Sequence, residues 1–294
     1  MTAKRVEIVG GGPSGLSAAI TLKRLGVAEV IVHEREPKAG GVPRHTEHLG
    51  FGIRDLHRVM SGPRYAARLV EMALAARVDL RLESTVFERP DCDALIVATG
   101  VRERPRSARL IPGDRPAGIL TTGALQQLVQ RGFPVGRRAL IVGAEHVSFS
   151  AITTLSHGGC RAVGLVTNHD RHQTYPPLKW MTATRHRVPV ITGTDVEEIR
   201  GHGRVAEVAL SNGQVIACDT VVFTGDWIPE NELARHMGVA LALDYPSPVI
   251  DEHFATSLDG VFAVGNVAHR VKSADSCAVE GQRVARAVTA YLVR

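Results

Sequence analysis

Gly10, Gly12 and Gly15 stand in GGGPSG (Gly10–Gly15) at the spacing GxGxxG, and an acid, Glu34, follows nineteen residues after the last of them. Each residue type in that set serves one ligand class, a nucleotide joined through a pyrophosphate. The first glycine permits a tight turn out of a strand, the second lets backbone approach the pyrophosphate, and the third lets a helix pack close on the strand. The phosphates then lie at a helix N-terminus, where unpaired N–H groups and the helix dipole favour an anion. Pro13 and Ser14 open that helix, and Glu34 is placed to accept hydrogen bonds from an adenosine ribose. Arg35 could touch a nucleotide, although an exposed arginine after a strand is the commoner outcome. His33 reads as a packed or surface histidine.

The elements that must hold these residues are legible on both sides of them. Val6, Ile8 and Val9 form a short apolar strand, and Ser14–Leu25 carries helical spacing through Leu16, Ala19, Ile20 and Leu22. Gly26 stops the helix, and Val30–His33 is the next strand, with Glu34 at its end. A bare GxGxxG would say little. Strand, glycines, helix, strand and terminal acid together specify a dinucleotide-binding fold, without deciding between NAD and FAD.

The 294 residues allow two domains with well-buried cores. A composition of 44% hydrophobic and 22% charged residues with 29 glycines suits an α/β protein with many tight strand-to-helix turns. The net charge of +5 is scattered; even the densest stretch, Val101–Arg109, sets four arginines against a glutamate, which does not predict nucleic-acid binding. Cys92, Cys160, Cys218 and Cys277 share no CxxC or CxxxxC spacing, so a disulfide framework, a zinc knuckle and a redox dithiol are not expected. No signal peptide or membrane span is legible. HxxH occurs at His45/His48 and at His169/His172, but no carboxylate completes a zinc spacing, and no metal is expected. Gly62-Pro63 marks a helix start, with Tyr65, Leu69, Val70 and Leu74 expected in the core. No nucleophile–base pair resembles a hydrolase.

Further along, Ala94–Val97 runs into ATG (Ala98, Thr99, Gly100), and near the far end DGVFAVGN (Asp259–Asn266) precedes a closing helix over Ala278–Leu292. In this ordered set the sequence resembles the two-dinucleotide-binding-domain flavoproteins, the broad group containing the disulfide reductases and thioredoxin reductase. That resemblance implies FAD in a discontinuous domain, 1–111 with 242–294, and an NAD(P)-type nucleotide domain inserted at 112–241. It places Ala98, Thr99, Gly100, Gly265 and Asn266 at the cofactor, with Gly40 and Gly41 wrapped round its flavin end. The insert has strands at Ala139–Val142 and Ala162–Val166, a helix from Val147 to His157, and a hairpin of Val205–Leu210 and Val215–Ala217 turned by Ser211–Gln214. Its glycine turn departs from the pattern: Gly143 survives, Glu145 takes the second glycine's place and Ser148 the third's. A carboxylate there adds bulk and repels phosphate, which reads as a damaged NAD(P) site, either empty or holding a different adenine nucleotide. Asn266 stands where most of the group has aspartate for the flavin ribityl chain, keeping an acceptor and losing the charge.

Longer stretches carry a narrower resemblance: GGVPRHTEHLGFGIRDLHRVMSGPRYAARL (Gly40–Leu69), VGAEHVSFSA, NHDRHQTY (Asn168–Tyr175), TGDWIPENELAR (Thr224–Arg235) and GNVAHRVKSAD (Gly265–Asp275). They look like the α subunits of heteromeric dye-linked opine, hydroxyproline and proline dehydrogenases and of hydrogen cyanide synthase. Membership implies electron transfer beside an FAD-containing β subunit that oxidises a C–N bond, and any iron–sulfur module would be a separate small subunit. His45 and His48 then lie against the isoalloxazine or on the electron path, or are surface histidines of a loop. The expected location is cytoplasmic, either free or peripheral at the inner face of the membrane. The rival expectations are a self-sufficient NAD(P)H-dependent reductase, similar to thioredoxin reductase without its dithiol, and a nucleotide-bound scaffold.

The fingerprint yields a direct test. Gly12→Leu should fold yet lose its cofactor, since the side chain fills the pyrophosphate position; folded protein with full FAD content would refute that placement.

Overall fold

The computed structural model describes residues 4–174 and 176–293, so Tyr175 of the NHDRHQTY stretch lies outside the described residues. The chain divides into two compact units, Met1–Arg102 with Trp227–Arg294, and Glu103–Asp226. Both divisions fall earlier in the chain than positions 112 and 242, because the arginine-rich stretch after Arg102 folds back onto its own unit: Arg109 donates to the carbonyls of Thr224 and Gly225.

In chain order the first unit begins β1 (Arg5–Val9), α1 (Pro13–Arg24), β2 (Glu29–His33), the short strands β3 (Leu49–Phe51) and β4 (Met60–Ser61), α2 (Gly62–Ala75), β5 (Asp79–Arg81), β6 (Ala94–Val97) and β7 (Val101–Glu103). The second unit follows with α3 (Arg106–Arg109), β8 (Ile119–Thr121), α4 (Thr122–Gln130), β9 (Arg138–Val142), α5 (His146–His157), β10 (Arg161–Val166), α6 (Pro176–Lys179), β11 (Val190–Ile191), β12 (Val196–Arg200), β13 (Glu207–Leu210), β14 (Val215–Ala217) and β15 (Thr220–Phe223). The chain returns through β16 (Trp227–Pro229) and α7 (Glu232–His236) to β17 (Val261–Ala263) and α8 (Ala274–Leu292).

Each unit is a doubly wound α/β fold. The first holds a five-stranded parallel sheet in the order β17-β6-β1-β2-β5. The central strand β6 is apolar on both faces, as a sheet covered on both sides requires, while β1 after Arg5 is apolar but for Glu7. Ile96 of β6 packs with Val6, Ile8, Leu16 and Val284, while its neighbours Leu95 and Val97 pack on the other face with Leu233 and Val261. The second unit repeats this plan in the order β11-β10-β9-β15-β8, with Ile141 and Leu140 facing opposite clusters. A three-stranded antiparallel sheet, β12-β13-β14, contains the hairpin, whose turn closes through Leu210 N–H to Gln214 O.

Two expectations shift. Leu74 is 56% exposed; the buried stripe of α2 runs instead through Tyr65, Ala66, Leu69 and Ala73, positions four apart plus one neighbour. The closing helix starts at Ala274 rather than Ala278, because the Ser273 hydroxyl accepts the Ser276 N–H and caps it. In its first turn Asp275, 4% exposed, accepts the N–H groups of Gly52 at 2.9 Å, Ile53 at 2.8 Å and Arg54 at 3.1 Å. One buried carboxylate thus pins the loop between β3 and β4.

Helix α8 lies against α1 so closely that a Cβ on Gly281 would sit 2.2 Å from the Ser14 carbonyl oxygen. Backbone cannot rotate out of the way as a side chain can. Gly281→Val should therefore cost about 1–3 kcal/mol, which for a unit of this size lowers Tm by roughly 2–4 °C per kcal/mol. A melt with unchanged Tm would show that the two helices can part without cost.

Candidate functional site

The carboxyl ends of β1, β2 and β6 bring four separated pieces of chain to the N-terminus of α1. Gly10 leaves β1 at φ +112°, and a Cβ there would lie 2.3 Å from Ala98 O, so glycine is required where the ATG segment crosses the turn. A Cβ on Gly15 would meet Gly10 O at 2.0 Å. Gly12, the residue before α1, behaves differently: its added Cβ would find only the Gly41 Cα, at 4.0 Å. Protein packing does not demand glycine at 12. The open space before it is where a ligand's phosphates would meet the free N–H groups of the first helical turn.

Around this opening stand the other candidates. Glu34, 8% exposed, accepts the Gly11 N–H at 3.0 Å through Oε2 and the Glu36 N–H at 2.9 Å through Oε1. It therefore shapes the glycine turn as well as offering lone pairs to a ribose. Gly40 donates its N–H to Gly11 O at 2.7 Å, which folds the Gly40–Gly41 corner onto the turn. Gly265 comes beside Ser14, whose hydroxyl would be 2.6 Å from a Cβ at 265.

Other candidates face away or are already engaged. The Arg35 side chain is 62% exposed and 3.7 Å from Glu230. Thr99 donates its hydroxyl to Glu230 O at 2.6 Å, and Gly100 O accepts the Glu230 N–H at 3.0 Å, so both hold the returning segment. The Asn266 side chain accepts from Lys272 N–H at 2.8 Å and from the Cys277 thiol at 3.3 Å, and donates to Lys272 O at 3.3 Å. Its amide braces the 266–272 loop; a sequence pattern gives no sign of that. His45 ends a 3₁₀ turn over Val42–His45, and His48 stacks on Phe51 at 5.2 Å with its Nδ1 bonded to Leu49 O at 2.8 Å.

Sequence reading missed a buried polar column beneath this site. His33 bridges Glu7 Oε2 at 2.7 Å and Ser84 Oγ at 2.8 Å, and Glu7, only 1% exposed, is also paired with Arg5. The apolar context of Val6 and Ile8 hid Glu7, and its partners are distant in sequence.

In the second unit β9 leads into Gly143, Ala144 and Glu145, and α5 begins at His146. Ser148, fully buried, bonds Thr224 Oγ1 at 2.7 Å, so the residue in the third glycine's place is fixed by packing. His169, Asp170, Arg171, His172, Gln173 and Thr174 line an open cavity of about 630 Å³ after β10. Gln173 N–H donates to Ala144 O at 2.8 Å, joining that cavity's wall to the glycine turn. Among the described residues no group of three or more His, Cys, Asp or Glu is arranged to hold a metal. All four cysteines are free, and burial pushes their thiols up: Cys160 and Cys218 to about 11, Cys277 to about 12, and Cys92 in the same direction. No helix among the described residues is long and apolar enough to cross a membrane.

Two dinucleotide-type folds in one chain, the first with an open turn, define a flavoprotein of the FAD- and NAD(P)-binding class. The chain belongs to the pyridine nucleotide-disulphide oxidoreductase family, whose sequence model matches residues 4–281, and it is an FAD-dependent oxidoreductase. It is 28% identical to a probable ferredoxin reductase, CtmF, of Castellaniella defragrans over 91% of this chain and 68% of that one. It is 26% identical to the ferredoxin reductase component of a chlorobenzene dioxygenase from Cupriavidus sp., over 90% and 67%, and to a putative glutamate synthase [NADPH] small chain of Cereibacter sphaeroides, over 98% and 77%. In fold it matches the thioredoxin reductase of T. acidophilum with a TM-score of 0.83 at 19% identity, covering 98% of both chains.

These relatives overturn the expectation of an α subunit of an opine, hydroxyproline or proline dehydrogenase; the partners their names carry are a ferredoxin and an oxygenase system, and none of them names the expected substrate-oxidising β subunit. Of the stretches that suggested that α subunit, VGAEHVSFSA is a nucleotide-type glycine turn between β9 and α5 and GNVAHRVKSAD begins just after the return strand β17, so these two report how nucleotides are held and not what gives or takes the electrons.

Glu34 supplies this site's test. Glu34→Ala should weaken FAD binding by about 1.5–3 kcal/mol, because a charge-assisted hydrogen bond is lost. Titration of deflavinated protein with FAD measures it, and an unchanged Kd would place the ribose elsewhere.

Proposed function

We propose that this chain is a self-sufficient NAD(P)H-dependent flavoprotein reductase that delivers electrons to a separate carrier protein rather than to a disulfide of its own. In this reading Gly10–Gly15 and Glu34 hold the pyrophosphate and adenosine ribose of FAD, with Gly40, Gly41 and Gly265 close around them. Bound FAD would supply the step from two-electron donor to one-electron acceptor. The protein's own contribution is positional. The N-terminus of α1 offers N–H groups and dipole to the phosphates, and the Asp275 anchor keeps the loop after β3 in place. The second unit takes the nicotinamide nucleotide at the end of β9.

One observation carries the exit route. A reductase that works through its own dithiol needs two thiols within bonding reach, at least one readily ionised. Here each thiol is held neutral by burial, and no two cysteines are close in sequence. That chemistry matches the relatives named as ferredoxin reductases and supports a ferredoxin-type iron–sulfur protein as acceptor. The net charge of +5 suits an acidic carrier.

The test is anaerobic addition of NADH or NADPH at millimolar concentration to the FAD-loaded protein. Bleaching of the flavin absorbance, followed by reduction of an added ferredoxin, is the expected result. A flavin that dithionite reduces but neither nucleotide does would overturn the proposal.

A further inference from the structure

The two glycine turns are built on one backbone plan, and the same N–H is satisfied differently in each. In the first unit Val9 pairs with His33, so the next residue, Glu34, stands beside the turn and takes the Gly11 N–H at 3.0 Å. In the second unit Val142 pairs with Val166, which puts Thr167 in Glu34's place. Threonine brings no carboxylate, and its hydroxyl accepts the His169 N–H at 3.3 Å. The N–H corresponding to Gly11, that of Ala144, is taken instead by Glu145 itself, through Oε2 at 3.0 Å.

Glu145 thereby folds back over its own turn. A Cβ on Gly143 would lie 2.9 Å from Glu145 Oε2, and one on Gly225, at φ +61°, would lie 2.3 Å from Oε1. The carboxylate is clasped between these two glycines. Its Oε1 is buried and, among the described residues, accepts no hydrogen bond. Arg109 is near enough to feel its charge, but that guanidinium donates to Arg104, Thr224 and Gly225 carbonyls and lies over the Phe223 ring. The contrast with the first unit is direct: the space before Gly12 is open, and the space before its counterpart, residue 145, holds an anion of the protein's own.

We infer that the Glu145 carboxylate is an internal stand-in for a nucleotide pyrophosphate, which must leave the turn before NAD(P)H can bind there. This rests on the reductase reading for the identity of the nucleotide. The carboxylate does part of what a phosphate would do: it satisfies Ala144 N–H, the donor just ahead of α5, and as the N-cap residue's charge it stands near the positive end of that helix without bonding the helix's own N–H groups. A second anion in the same place meets like charge and bulk together. Nucleotide affinity is then set by the ease of moving Glu145, and the chain holds its donor weakly until the side chain is displaced.

The experiment compares wild type, Glu145→Gly and Glu145→Gln by calorimetric titration with NADH, NADPH and ADP-ribose, and by anaerobic flavin reduction on the same FAD-loaded preparations. Removing side chain and charge should tighten all three ligands at least tenfold, while neutralising the charge in nearly the same shape should tighten them at least threefold. Glu145→Gln serves as the second variant should glycine loosen the start of α5, and retained FAD absorbance shows that each protein is folded. Kd values unchanged in both variants overturn the stand-in, and if wild-type flavin is still reduced the reductase reading survives. Tight ADP-ribose binding in Glu145→Gly without flavin reduction by either nucleotide upholds the stand-in and overturns the reductase reading instead.

Discussion

At the N-terminus of α1 backbone meets backbone, and the first unit depends on that contact. Gly10 lies under Ala98 O, Gly15 over Gly10 O, and Gly281 of the last helix against Ser14 O, each too close for a Cβ. Side chains can repack around a larger neighbour; a carbonyl oxygen held in a strand or helix cannot. The first strand, the first helix, the ATG segment and the closing helix are thereby locked to one another. Residues from opposite ends of the sequence reach one opening for this reason. Glycine at 12 has a different cause, since nothing in the protein occupies the space before it.

The buried polar groups are arranged to keep that opening in shape. Glu34 ties Gly11 and Glu36, Asp275 ties Gly52, Ile53 and Arg54, and His33 joins Glu7 to Ser84. A carboxylate that accepts several backbone N–H groups at once is strongly held, and losing it would orphan every donor. Apart from the local Glu34–Glu36 bond, these ties link residues between 23 and 223 positions apart, so they act as tertiary rather than local restraints. The second unit uses the same plan with one change of sign: its turn is closed by its own acid where the first is left open. Two copies of one fold can thus present an open turn and a closed one without any change in topology.

Much of this was legible in the sequence because its cause is local. Alternation and apolar runs fix strands, helical spacing and a stop glycine fix α1, and GxGxxG with a following acid can satisfy little but a dinucleotide. The two parallel sheets follow from that pattern repeated with an insertion. The narrower functional assignment failed for the same reason that the fold succeeded. Its motifs report the geometry that holds nucleotides, and that geometry does not by itself name an electron acceptor.

What the tertiary structure alone decided is where each polar side chain spends its hydrogen bonds. By its place in the sequence Asn266 is expected at the flavin ribityl chain, yet its amide is engaged by Lys272 and Cys277. Leu74 fits the helical stripe of α2 but faces solvent, since Ala73 already fills the stripe one residue earlier. Glu145 announces a lost glycine in the sequence; only the fold shows its carboxylate on the Ala144 N–H, clasped by a glycine eighty residues away at 225. Residue type and spacing determine which elements form and which ligand class they suit. The choice of partner for a buried donor or acceptor depends on groups that only folding brings within about 3 Å, and that distance is not written along the chain.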